Sequence, residues 1–211
     1  PAFRPARPLD WQMRAVRALG AARWLPRRHL CATGAPPGPA VCIEADEHPG
    51  VKLLTLDRPD SLNAMTVEMG DAVSAAVEEL RADADLRALV VTGRGRAFSA
   101  GGDLKFLAAR QADNPTSNAH EMLRFYERFL AIRSLPAPIV CCINGPAIGA
   151  GACFAMAADV RYTHAAAKIG FTFVGLGLHP GMGATHSLPA AVGPQVAGRL
   201  LLSGDVLSGD D

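Results

Sequence analysis

Short apolar runs alternate along this chain with stretches in which apolar residues recur every three or four positions. Residues 41–45 and 51–57 are two such runs on either side of His48-Pro49-Gly50, predicting two strands joined by a turn. Thr66 precedes Met69, Val73, Val77 and Leu80, a one-face spacing that predicts a helix capped by Thr66 and running to about Ala82. Residues 86–92 read as a strand and 114–118 as a polar loop. Met122, Phe125, Phe129 and Ile132 give 120–133 a helical period. A buried strand follows at 138–144, then a small, apolar helix at 149–158. Residues 160–163 and 169–174 are strand-like, while 181–183 precede a short helix and 194–202 form another. The last residues, 208–211, read as the start of one more capped helix. Strands alternating with helices predict an α/β domain with largely parallel pairing.

Composition narrows the function classes. A chain of 211 residues that is 49% hydrophobic and 19% charged is long and apolar enough to fold over most of its length. No apolar run reaches the roughly 18 residues that span a bilayer. A net charge of +1 and 6% aromatic residues exclude a nucleic-acid protein that works by charge or by base stacking. The charge is unevenly spread: residues 1–34 carry seven arginines and one acid, Asp10. The remainder is acidic. Trp11, Ala15, Leu19 and Ala22 fall on one helical stripe, with Arg14, Arg17 and Arg23 elsewhere around the helix. Such a leader has the character of a mitochondrial targeting segment, or of an arm that docks on a neighbouring chain. Pro36-Pro37-Gly38-Pro39 reads as a linker, dividing an arm of residues 1–40 from a domain of residues 41–211. Five cysteines, with no C-x-x-C pair, indicate neither a disulfide framework nor a zinc site, and a reducing compartment such as the mitochondrial matrix fits them.

Two glycine-rich turns carry the candidate chemistry. One is Ala97-Phe98-Ser99-Ala100-Gly101-Gly102-Asp103-Leu104-Lys105; the other is Asn144-Gly145-Pro146-Ala147-Ile148-Gly149-Ala150-Gly151. Each follows a predicted strand. Turns without bulky side chains leave backbone N–H groups open, and two of them can aim two N–H groups at one carbonyl oxygen, an oxyanion hole. The helix after Gly149 would add the positive end of its dipole. The same small residues also suit tight packing of helix on strand. Neither turn matches a Rossmann or P-loop fingerprint, and there is no metal-ligand spacing or Gly-x-Ser-x-Gly elbow.

From about Val41 onward the chain resembles the crotonase superfamily, the enoyl-CoA hydratase/isomerase proteins. Besides the two turns, the resemblance rests on Leu56-Asp57-Arg58-Pro59 with Leu62-Asn63-Ala64, on Ala158-Asp159, and on Gly177-Leu178-His179-Pro180-Gly181-Met182-Gly183. It implies a crotonase (ClpP/crotonase-like) spiral of ββα units, usually assembled as a trimer, with the C-terminal helices that complete the family's fold truncated or absent after residue 211. It also implies that Gly102 and Ala150 donate the two oxyanion N–H groups to an acyl-CoA thioester, with Gly102, Asp103, Leu104 and Lys105 along the CoA.

The acid–base residues depart from the family pattern. Hydratases of this family use two glutamates; by position these fall on Cys153 and Phe173. Neither side chain positions water and moves protons as a carboxylate does. His179 is the nearest candidate to replace them, and His186 is a weaker one. Asp103 is expected to support the first turn or cap a helix, and Asp159 to anchor the end of the buried helix. Two functions follow. The first is a mitochondrial, matrix-side crotonase-fold protein that is catalytically degenerate. It would be an accessory subunit of a larger assembly such as a respiratory-chain complex, in a trimer of like or mixed crotonase-like chains. The second is an active acyl-CoA thioester enzyme (hydratase, isomerase, decarboxylase or hydrolase) of fatty-acid or amino-acid catabolism. Both take acyl-CoA as ligand, with no metal or further cofactor.

Overall fold

A computed structural model describes residues 38–211. The leader helix, its docking and the first part of the linker lie outside these residues.

Strands β1 (Val41–Ala45) and β2 (Val51–Leu56) pair antiparallel around the His48-Pro49-Gly50 turn. Strands β3 (Ala88–Gly93), β4 (Ile139–Ile143) and β6 (Val160–Thr163) then add in parallel, giving the order β1-β2-β3-β4-β6. A smaller sheet joins β5 (Ala147–Ile148), β7 (Lys168–Gly170) and β8 (Val206–Ser208). Six helices accompany them among the described residues: α1 (Val67–Ala82), α2 (Leu104–Gln111), α3 (Pro115–Leu130), α4 (Ala150–Met156), α5 (Ala184–Val192) and α6 (Pro194–Ser203).

Alternation sets the main core. Leu89 and Val91 of β3, and Ile139, Cys141 and Ile143 of β4, are buried at every second position. Met69, Val73, Val77 and Leu80 of α1 are buried along one stripe in the same hydrophobic core. Thr66 caps α1 by accepting from the Met69 N–H at 3.0 Å. A second apolar layer is aromatic: Phe125 and Phe129 of α3 lie edge-on to each other at 5.2 Å, and Phe129 lies edge-on to Phe154 of α4 at 5.9 Å. This layer holds α3 beside α4 and thereby builds one wall of the site.

Two local expectations give way. Residues 114–118 are not a loop: Asn114 accepts from the Ser117 N–H at 2.8 Å and Pro115 occupies the first turn, so α3 begins there. The strand expected over 169–174 stops at Gly170 and gives way to a 3₁₀ turn, Thr172–Leu176. Just before the terminal residues, Val206–Ser208 pairs antiparallel with β7, a partner distant in sequence.

Candidate active site

The two glycine turns are stitched to each other through Ser99. Its N–H donates to the Pro146 carbonyl at 3.1 Å and its carbonyl accepts from the Ile148 N–H at 3.0 Å, a parallel bridge onto Ala147. Its hydroxyl is fully buried, donates to the Asn63 carbonyl at 2.8 Å and accepts from the Gly101 N–H at 3.2 Å. Asn63 is equally buried. Its side chain accepts from the Arg58 N–H and donates to the carbonyls of Arg94 and Ala97 at 3.0 and 2.9 Å. Asn144 supports the second turn, accepting from the Gly93 N–H at 3.1 Å and donating to the Gly95 carbonyl at 3.0 Å.

This lattice fixes which backbone groups stay free. Met65 bridges to the first turn through its N–H to the Gly101 carbonyl, 2.8 Å, and by accepting from the Asp103 N–H, 3.1 Å. The Gly102 N–H between them faces the other way and has no protein acceptor among the described residues. The same holds for the Ala150 N–H, at the first position of α4. The turns approach closely: a Cβ on Gly101 would sit 2.5 Å from the Ile148 carbonyl oxygen and 3.6 Å from the Ala150 nitrogen. Only glycine fits there, at φ +96°.

Gly102 and Ala150 both open onto one cavity of about 350 Å³. Leu107, Met122, Phe125, Phe173, Leu176 and Met182 supply most of its apolar wall. The cavity also collects His179, exposed at its rim, and Phe173, half-buried in the 3₁₀ turn. Cys153 does not line it; it is buried in α4, and burial pushes its thiol up to about 12, the wrong direction for a nucleophile. Of the remaining CoA candidates, Leu104 stands 68% exposed at the mouth and Lys105 is exposed beside it. Asp103 turns back to cap α2, accepting from the Phe106 N–H at 2.8 Å. His186 is exposed on α5, away from this cavity. Asp159 ties the end of α4 to the start of β4, accepting from the Ile139 N–H at 2.8 Å.

Four polar liners carried no functional assignment in the sequence: Arg110, Asn118, Tyr126 and Thr172. Tyr126 lies four residues beyond Met122 on α3, and that spacing is the signal that places both on one face. Arg110 pairs with Asp113 at 3.1 Å and lies over the Phe106 ring, while the Asn118 amide donates to the Arg110 carbonyl at 2.6 Å. Among the described residues no group of three or more His, Cys, Asp or Glu is placed to hold a metal ion. No helix there is long and apolar enough to cross a membrane.

Two main-chain donors thus open onto one apolar cavity, with a parallel sheet behind them, an arrangement able to polarise a carbonyl. The family model for enoyl-CoA hydratase/isomerase matches residues 46–211, and the chain belongs to that family, with the crotonase fold. It is 45% identical over 164 residues to a Mycobacterium tuberculosis protein named probable enoyl-CoA hydratase EchA14, covering 78% of this chain and 62% of that one. It is 37% identical over 166 residues to the 1,2-epoxyphenylacetyl-CoA isomerase of Escherichia coli, covering 76% and 62%. The enoyl-CoA hydratase structure from Thermoplasma volcanium superposes with a TM-score of 0.74 at 30% identity, covering 82% of this chain and 67% of that one. The chain thus spans about three fifths of the length of the curated relatives it matches.

Proposed function

We propose that this chain holds an acyl-CoA thioester, with the carbonyl oxygen between the Gly102 and Ala150 N–H groups, and acts on it without the carboxylate pair that hydration uses. The observation that carries this reading is the convergence of those two unpartnered N–H groups on one apolar cavity. The residues from Gly102 to Lys105 would run along the CoA, with exposed Leu104 at the cavity mouth and exposed Lys105 next to it in sequence. Phe173 and Cys153 argue against hydration. The first is an aromatic wall and the second a buried, protonated thiol.

The relatives' names favour an enzyme over an accessory subunit. The arginine-rich leader supports import into a mitochondrial matrix, and exposed Val192, Val196 and Leu202 support assembly with like or mixed crotonase-fold chains, a trimer being the family's usual form. Cell fractionation and light scattering of the purified chain test these two parts.

The site itself is tested by titrating the protein with crotonyl-CoA and following hydration separately. Binding with little turnover is expected, since each positioned acid–base group contributes roughly 10²–10⁴-fold. The paired substitution Cys153→Glu with Phe173→Glu should then raise hydration. Fast hydration by the unmodified protein would refute the reading, as would failure to bind the thioester.

A further inference from the structure

The cavity wall contains no Asp or Glu among the described residues, and its titratable side chains are Arg110, Tyr126 and His179. Arg110 is engaged with Asp113, and His179 stands exposed at the rim. Tyr126 differs from both. It is half-buried, and its hydroxyl reaches across from α3 to the turn before α5, so close that a methyl group on Gly181 would collide with it. Tyr126 lines the same cavity as the two donors, Gly102 and Ala150, and as Met182 of that turn.

We propose that the Tyr126 hydroxyl carries protons to and from the acyl α-carbon of the thioester held at Gly102 and Ala150; this rests on the thioester reading above. In the forward step the α C–H bond breaks and its proton passes to the ionised Tyr126 oxygen. The bonding pair moves into the enolate, whose oxygen the two N–H groups hold. In reverse the Tyr126 O–H bond breaks, its proton goes to the α-carbon, and the enolate pair forms the new C–H bond. Solvent then restores the phenol.

The surroundings set the favoured direction. Burial pushes the phenol above its ordinary value, the Cys153 thiol adds to this, and the Met182 N–H opposes it. Arg110 and His179 share the cavity, but no carboxylate lines it. Near neutrality Tyr126 is a protonated donor, suited to quenching an enolate. It becomes a base only in alkali.

Butyryl-CoA is the probe. The protein is incubated with it in D₂O across a range of pD, deuterium at the α-carbon is read by mass spectrometry, and binding is read by calorimetry. The variants are Tyr126→Phe, which keeps the ring, and Tyr162→Phe, which alters the exposed tyrosine of β6. Exchange by the unmodified protein and by Tyr162→Phe is expected to rise about tenfold per pH unit, past the ordinary tyrosine range of roughly 10. Tyr126→Phe should lose about 100-fold or more in exchange while still binding butyryl-CoA. Equal exchange by Tyr126→Phe, no exchange by the unmodified protein despite binding, or a profile that levels off near neutrality would each overturn the proposal. Absence of butyryl-CoA binding would instead bring down the thioester reading, and this proposal with it.

Discussion

Ser99→Ala is the sharpest perturbation of the scaffold, because it deletes one oxygen and touches both turns. The Ser99 hydroxyl is fully buried and serves the Asn63 carbonyl at 2.8 Å and the Gly101 N–H at 3.2 Å. Alanine fills nearly the same volume, so packing loss is small. Two buried polar groups lose their partner, and no water can reach them without opening the turn. A buried group left unsatisfied costs about 1–3 kcal/mol, so the pair predicts a loss of about 2–6 kcal/mol. For a domain of this size each kcal/mol lowers the melting temperature by roughly 2–4 °C, giving a shift of roughly 4–24 °C. Urea unfolding at constant m-value gives the free energy directly. Ser61→Ala is the control: its hydroxyl also bonds a carbonyl, that of Arg58, but is exposed, so its change should stay within about 0.5 kcal/mol. A Ser99→Ala protein as stable as the Ser61→Ala control would refute the claim that the hydroxyl braces the two turns.

Adjacent glycines should behave oppositely. Gly101→Ala meets the Ile148 carbonyl at 2.5 Å with φ at +96° and should lose about 2 kcal/mol or more together with acyl-CoA binding. Gly102→Ala meets only a Leu107 methyl at 3.5 Å and should keep fold and binding, both read by melting with and without crotonyl-CoA. Alkaline titration tests the buried thiols. The folded value of Cys153 is raised from 9.0 to about 12, so the native state keeps a proton that the unfolded chain sheds, and stability falls as pH rises through that window. Cys141 and Cys142 shift the same way. The stability gap between the unmodified protein and Cys153→Ala should therefore narrow as pH rises from about 9 towards 12 in urea melts; a gap that stays constant would refute the assignment.

The parts of the fold legible in the sequence are those whose signals are local. The strands β1 and β6 are bounded as their apolar runs predict, and α1 announces itself through Thr66 and a regular stripe. The start of α3 was also written locally, as Asn114 before Pro115. It is masked by a first turn without a large apolar residue, Pro115 to Asn118, which looks like a loop. The short strand β8 could not be read this way, and β7 only in part. Strand β8 exists because β7 supplies its ladder, and 35 or more residues lie between their paired positions, as between Gly170 and Val206. The site divides along the same line. Main-chain donors demand small residues, so Gly102 and Ala150 leave a visible pattern. Tyr126 leaves only its helical spacing from Met122, because its role depends on α3 crossing the turn before α5.

The bridge between Met65 and the first turn makes the site sensitive to counting rather than to chemistry. Along an extended segment successive N–H groups point to opposite sides, and the Asp103 N–H is already committed to Met65. The free donor is therefore chosen by parity. Most side chains around it can drift, since none supplies the N–H, but one residue inserted or deleted between Ser99 and Asp103 would turn the donor away from the cavity and take from the proposed thioester site one of its two N–H groups. Such a segment can keep its length fixed through long divergence while its neighbours change reaction.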